Sequence, residues 1–298
     1  MKLRYLGYAC INMSLEKTTN KTFRLSNLTE EKYLDTVRYN LKSLEDIIRW
    51  NAEHGIYFFR IGSELIPFAS HADFLYDWTT DFKKEFAALH KLGKKHKMRF
   101  SMHPGQYSVL NSPDEKVVVN AIRDIEYHTE VLDLISPETG RIVIHAGGVY
   151  GDKKAAMKRF IKNFSKLSKK AQGMLILEND DRSYNIADVL EICTRLKIPA
   201  VFDILHHDCN PAEGDLKELL KMVVETWGED IPKFHISSRK GEKGCPHTDY
   251  IEPEYFIRFK KIIDNLHFDK EYDIMIEAKM KDKAVLKIIN NAMKVVNG

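Results

Sequence analysis

Short runs rich in β-branched and aromatic residues recur along this chain, each followed by a longer stretch in which apolar positions repeat every three or four residues. The runs lie at 3–11, 56–61, 98–102, 141–145, 174–178, 200–204, 232–236 and 272–277. Several, such as Ile142-Val143-Ile144 and Leu175-Ile176-Leu177, are apolar at successive positions, as a parallel strand covered on both faces requires. The intervening stretches carry amphipathic stripes, with Val37, Leu41, Leu44 and Ile48 in the first and Val285, Ile288, Ile289 and Ala292 in the last. Ser112-Pro113-Asp114-Glu115 reads as a helix start, and Gly55, Gly93 and Gly140 sit where helices are expected to stop. Eight βα units over 298 residues average roughly 37 residues each, the scale of a (β/α)8 barrel with long loops. The pattern predicts an α/β fold, a single (β/α)8 TIM barrel occupying residues 1–298 as one domain, with 14–30 as a long first loop. A doubly wound open sheet is the alternative. No G-x-G-x-x-G or G-x-x-x-x-G-K-[ST] segment follows a strand, so no nucleotide cofactor is expected.

Composition narrows the class. Hydrophobic residues make up 44% of the chain and charged residues 30%, which excludes a disordered or collagen-like polymer. Lys and Arg number 46 against 43 Asp and Glu; the net charge of +3 indicates no nucleic-acid partner by itself but leaves room for a local basic rim. The four cysteines, Cys10, Cys193, Cys209 and Cys245, form no C-x-x-C pair, which argues against a zinc ribbon or a secreted disulfide scaffold and fits a reducing compartment. No apolar run approaches the roughly 20 residues that span a bilayer, and the first residues lack a signal-peptide core. A soluble cytoplasmic protein with no membrane partner is expected, nucleoid-associated in a prokaryote.

Candidate chemistry falls at the strand exits. His103 follows the third strand, His145 ends the fourth and Glu178 the fifth. Asp203 and His206 close the sixth, His235 lies in the seventh, and Glu277 ends the eighth. In a TIM barrel these exits converge on one rim, the C-terminal face where active sites are built. His71 and His247 lie in the loops after strands two and seven, bordering the same rim. Any single histidine is more often a surface or core residue than a ligand, but their concentration at strand ends is not a random pattern. His54, His90, His96, His128, His207 and His267 fall mostly near helix ends, where capping or solvation explains them. Six imidazoles and three carboxylates exceed what one tetrahedral or octahedral ion needs, so two or three divalent ions are implied. Mixed nitrogen and oxygen donors suit Mn²⁺, Zn²⁺ or Fe²⁺ better than Ca²⁺ or Mg²⁺. Such a cluster can serve both the attacking and the leaving oxygen of a phosphodiester. Glu178 and Glu277 are the candidate bridging carboxylates.

Lys233 precedes His235 by two residues, so strand periodicity sends both side chains the same way and aims an ammonium at the expected cations. A carbamylated Lys233, which carries a carboxylate, would remove that conflict. Unmodified, it would act as a phosphate contact or a neutral amine, or reach out to the rim.

Together these segments resemble the UV damage endonuclease family, relatives of the endonuclease IV type of TIM barrel. The matching pieces are Tyr8-Ala-Cys-Ile-Asn12, Arg60-Ile-Gly-Ser-Glu64, Ser101-Met-His103-Pro-Gly-Gln106-Tyr107, Ile144-His145 and Leu177-Glu178-Asn179-Asp180. Further along come Phe202-Asp203 with His206-His207, Lys233-Phe-His235 and Met275-Ile-Glu277-Ala-Lys279. The resemblance covers nearly the whole chain. It implies a multinuclear site, commonly manganese with Zn²⁺, Co²⁺ or Mg²⁺ as alternatives, and cleavage immediately 5′ of UV photoproducts in double-stranded DNA, leaving a 3′-hydroxyl and a 5′-phosphate. It also implies the ligand set His71, His103, His145, Glu178, Asp203, His206, His235, His247 and Glu277, with catalysis by Glu178, Lys233 and Glu277. The family's modified lysine corresponds to Lys233. Gln106 and Tyr107 match a pair that enters the duplex at the lesion, where stacking is already weak. Tyr8 and Asn12 match residues on the other side of that groove, although barrel packing and strand-end hydrogen bonding also explain them. Phosphate contacts are expected from Arg239, Lys240 and Lys243, in the loop after strand seven.

Lys94-Lys95-His96-Lys97 precedes strand three, which puts it on the opposite face as a solvated helix end. Phe68, Phe74, Tyr76 and Trp78 in the second loop can stack on DNA or cover the barrel. An abasic-site endonuclease, a xylose isomerase-like sugar isomerase and a non-catalytic metal-dependent DNA-binding module remain as competing readings. A monomer is expected.

Overall fold

The structure is a computed structural model that describes residues 1–239 and 245–296. Eight strands, β1 (Lys2–Ala9), β2 (Phe58–Ile61), β3 (Arg99–Met102), β4 (Arg141–His145), β5 (Leu175–Glu178), β6 (Ala200–Asp203), β7 (Lys233–Ile236) and β8 (Glu271–Ile276), close into one barrel in sequential order. Every neighbouring pair is parallel, β8 to β1 included. Each strand is followed by a helix, as the alternating pattern predicts. These are α1 (Glu30–Glu53), α2 (Lys83–Lys95), α3 (Glu115–Ile135), α4 (Lys153–Phe164), α5 (Ile186–Leu196), α6 (Leu216–Glu225), α7 (Pro253–Asp264) and α8 (Lys281–Val296). A short helix, Ile204–Cys209, sits at the exit of β6, and Ile11–Asn12 pairs with Lys17–Thr18 as a small ribbon in the first loop.

Side-chain alternation divides the core. Outward residues such as Ile142, Ile144, Leu175, Leu177 and Phe202 join the large cluster between sheet and helices. Their strand neighbours Val143, Ile176 and Val201 fill part of the barrel interior with Trp227, and Ala9, Phe58 and Met275 fill another part. Helix starts follow local chemistry. Asp114 accepts from the Lys116 N–H, Asp152 from the Ala155 N–H, and Asn185 forms a capping box with Asp188, each satisfying amides that the helix leaves unpaired. Gly55, at φ +70°, follows α1 as expected, whereas α2 runs through Gly93 to Lys95; that glycine instead admits the Phe100 ring, 2.8 Å from where a Cβ would lie.

Two further expectations meet specific outcomes. Cys209 is disulfide-bonded to Cys245 with Cα atoms 6.7 Å apart, a pairing that the spacing did not indicate, while Cys10 and Cys193 are free. The aromatic residues of the second loop cover the barrel: Tyr76 stacks on Tyr33, Phe74 packs edge-on against both, Phe68 meets Phe23, and Trp78 is buried against Phe86 and Tyr127. Among the described residues, no helix is long and apolar enough to cross a membrane.

Candidate active site

Register brings the strand-end residues side by side. His145 pairs with Glu178 across β4 and β5, and Asp203 pairs with His235 across β6 and β7. His103 stands one residue beyond β3 and Glu277 one beyond β8, where its amide donates to the Ile236 carbonyl. His206 arrives from the short helix, whose first turn is capped by Asp203 Oδ1 accepting from the His206 N–H at 2.9 Å.

Glu178 is the hub. Three groups, His103–His145–Glu178, Glu178–His235–Glu277 and Glu178–Asp203–His206, each bring one ligand atom per residue within 4.8 Å of the others, and all share this carboxylate. His235 Nδ1 lies 2.7 Å from Glu178 Oε1, and His103 and His145 place Nε2 3.6 and 3.8 Å from Oε2. Burial alone would raise the Glu178 carboxyl; His235, His103 and His145 outweigh it and hold the group well below the usual range. Burial drives His235 down to about 4, so it is a neutral ring. Asp203 is pushed up to about 7 by burial, only partly offset by His206. His206 is lifted to about 9, burial being overcome by Asp203, Glu178 and Glu277. Glu178 Oε2, Asp203 Oδ2 and His145 Nδ1 are buried with no hydrogen-bond partner. Unpaired buried lone pairs of this kind are costly, and cations relieve the cost.

Seven of the nine expected ligands thus gather at one mouth. His247 approaches from the β7–α7 loop, where its backbone bridges Arg239, and its ring senses the charges of Glu277 and His206. His71 is not in any of the three groups: its side chain is 44% exposed and turns to Asp73, beside a cavity of about 550 Å³ that also meets Glu64, Tyr107 and Tyr127. Another cavity, about 260 Å³, opens beside the cluster between His103, Gln106, His145, Arg182 and His206.

Gln106 is exposed in the loop after β3, and Tyr107 is 81% exposed, an unusual position for an aromatic ring. Tyr8 and Asn12 require a correction. Both are fully buried: Asn12 Nδ2 donates to the Tyr8 hydroxyl, which donates to Asn51 of α1, so β1 turns this ring toward the helical layer rather than toward a duplex. Arg239 is exposed on the rim; Lys240 and Lys243 lie outside the described residues.

Lys233 points into the barrel one layer beneath His235, fully buried, with Nζ unpaired and 5.6 Å from the Phe58 ring centroid. Burial, with Arg60 and Arg99, holds its amine well below the usual lysine value.

Two contributors stand in the matched segments but carry no role in the sequence reading. Asn179 clamps Asp203 through both backbone groups and accepts His206 Nδ1 on its carbonyl. Arg60 Nη2 donates to Glu277 Oε1 at 2.5 Å and lies 3.1 Å from His235 Nε2. The signal for Arg60 was available, because it is a charge inside the apolar run Tyr57-Phe58-Phe59-Arg60-Ile61.

A sequence model of the UV-endonuclease UvdE family matches residues 4–297. A curated UV DNA damage endonuclease of Clostridium perfringens (strain 13 / Type A) is 38% identical over 298 residues, 97% of this chain and 71% of the relative. One from Bacillus cereus (strain Q1) is 37% identical over 304 residues, 99% of this chain and 95% of the relative. Among solved structures, that of SacUVDE superimposes with a TM-score of 0.91 at 38% identity, covering 98% of this chain and 99% of the other. Endonuclease IV from Thermus thermophilus shares the fold, with a TM-score of 0.59 at 14% identity over 84% of this chain and 94% of its own.

Proposed function

Because this chain belongs to the UV-endonuclease UvdE family and is an endonuclease, we propose that it is a metal-dependent DNA repair enzyme that nicks DNA immediately 5′ of UV photoproducts. Cyclobutane pyrimidine dimers and 6-4 photoproducts in double-stranded DNA are its substrates, and the nick leaves a 3′-hydroxyl and a 5′-phosphate. The observation that carries this reading is the shared position of Glu178 in three donor groups, together with its unpartnered Oε2.

The donors fit divalent metal: buried carboxylates and imidazoles, several without partners, and no thiolate among them. His103, His145, Glu178, Asp203, His206, His235 and Glu277 would hold two or three ions, with His71 and His247 as further candidate ligands. Mn²⁺ is the first choice, with Zn²⁺, Co²⁺ and Mg²⁺ as alternatives. Bound ions would neutralise the phosphodiester and acidify water. The protein's own groups do the rest. Asn179 fixes the rotamers of Asp203 and His206, and the His235 Nδ1–H donation to Glu178 leaves the other ring nitrogen as the acceptor. Gln106 and Tyr107 project where a wedge can enter the duplex, filling the gap left by a poorly stacked lesion. Arg239, with Lys240 and Lys243, contacts backbone phosphates. Lys233, fully buried with Nζ unpaired and its amine held well below the usual lysine value, is the candidate for carbamylation. The protein acts as a single-domain monomer in the cytoplasm.

The test is elemental analysis paired with nicking of duplexes that carry one dimer, one abasic site or no lesion. The wild type should cut at the dimer with metal bound. Glu178→Ala should lose cleavage and retain DNA binding, whereas Gln106→Ala combined with Tyr107→Ala should lose discrimination between damaged and intact duplex. Cleavage confined to the abasic duplex, or wild-type nicking by Glu178→Ala, would refute the proposal.

A further inference from the structure

We propose that Arg60 is an internal counter-ion that fills one metal position of the ion-free protein and must be displaced when that position is loaded. The inference rests on the metal-dependent reading above, and concerns how the empty site is held together.

Three observations carry it. First, Arg60 Nη2 sits against the two groups that would ligate an ion on this side, at 2.5 Å from Glu277 Oε1 and at 3.1 and 3.5 Å from Nε2 and Nδ1 of His235. The guanidinium nitrogen lies over the face of the His235 ring, whose Nδ1 is 2.7 Å from Glu178 Oε1 and 3.2 Å from Glu277 Oε1. An ion held by Glu277 Oε1 and His235 Nδ1 at ordinary ligand distances of about 2.1 Å would therefore lie within roughly 4.6 Å of a permanent positive charge, a repulsion that a loaded site cannot keep. Second, the site needs a cation. Glu178 is fully buried and the Glu277 side chain is 14% exposed, both within reach of the same imidazole, and two carboxylates so placed repel each other unless a positive charge lies between them. Among the described residues of this donor group, Arg60 is the side chain that supplies a permanent one. Third, the guanidinium is not fully committed. Its Nε is buried without a partner, so the group gives up few hydrogen bonds on leaving, unlike Arg99 at the opposite mouth, which binds Asp273 and the Ile231 carbonyl.

This arrangement keeps the metal-free barrel folded and sets a threshold that an incoming ion must overcome. A residue that merely shapes Glu277 would act in the opposite direction, because its loss would weaken metal binding.

The test compares wild type, Arg60→Gln and Arg60→Lys by Mn²⁺ titration calorimetry and by thermal melting with and without saturating Mn²⁺. Arg60→Gln should bind Mn²⁺ on the order of tenfold more tightly, within the range by which groups around ligands tune affinity. It should melt earlier than wild type without metal and close to wild type with it. Arg60→Lys keeps the charge without the fork, so it should fall between the two; where Arg60→Gln does not fold, a rise in Mn²⁺ affinity for Arg60→Lys decides the matter. Unchanged or weaker Mn²⁺ binding, or an equal loss of melting temperature in both states, would overturn the inference while leaving the metal site intact. Absence of stoichiometric Mn²⁺ binding by the wild type would overturn both.

Discussion

Asp203 and His206 show how much one residue's protonation state is set by its surroundings. Asp203 uses Oδ1 to cap the helix that carries His206 and leaves Oδ2 buried and unpaired. Burial raises its carboxyl to about 7, and nearby carboxylates raise the His206 ring to about 9. Both folded values exceed the unfolded ones of about 3.9 and 6.5. The stability these groups give the ion-free protein is therefore fully present at low pH and is lost as pH rises through about 7 and then about 9. A bound ion reverses the preference, since ligands must be deprotonated. Metal binding should accordingly release close to two protons at pH 6 and about one at pH 8, that one from His206. Calorimetry in two buffers of different ionisation enthalpy measures the number, and heats independent of buffer would show that neither group is a ligand.

The disulfide acts between elements. It ties the end of the short helix bearing His206 to the loop bearing His247, across 36 residues of sequence. Cross-links closing loops of this length contribute roughly 2 to 4 kcal/mol, mainly by restricting the unfolded chain. Cys209→Ser should lose about that much under oxidising conditions and nothing relative to wild type in excess dithiol, as followed by urea denaturation; equal stability in oxidising buffer would mean that the bridge does not form. This link was not legible in the chain, because C-x-x-C spacing is local and the two cysteines meet only after β6 and β7 are aligned. The elements themselves were legible. The continuous apolar runs of β4 and β5, four to five residues long and rich in Ile, Val and Leu, read as strands buried on both faces, and once eight strands close, the exits carrying His103, His145, Glu178, Asp203, His235 and Glu277 share a mouth. Parity also explains the error at Tyr8. It pairs with Phe59, both outward, whereas Ala9 and Phe58 line the interior, so a shift of one residue changes a wall residue into a packing residue. Arg60 shares the inward parity of Phe58, and only the packed barrel reveals that its charge meets Glu277.

Across the whole molecule, the barrel's two mouths hold buried charge for different purposes. The C-terminal mouth is left short of partners, with unpaired polar atoms on Glu178, Asp203 and His145 among side chains that could hold cations. At the N-terminal mouth, Asp273 is fully buried and receives Arg4 at 2.9 and 2.5 Å and Arg99 at 2.6 Å, closing the floor where β8, β1 and β3 begin. A TIM barrel keeps its chemistry at one end and much of its stability at the other. Asp273→Asn keeps the shape but removes the charge facing two guanidiniums, and leaving buried charges unpaired costs roughly 3 to 5 kcal/mol. That is a large share of a typical domain's stability. The variant should therefore melt well below wild type, yet at a temperature where it remains folded it should bind the same number of metal ions and nick damaged DNA at the wild-type rate. Glu178→Ala should do the reverse, folding normally with metal content and cleavage lost. Thermal melts, elemental analysis and single-turnover nicking of the two variants side by side measure the separation. If Asp273→Asn lost metal or rate in proportion to stability, the two mouths would be coupled through the interior layer that holds Phe58, Lys233 and Met275, and floor and site would have to be treated as one unit.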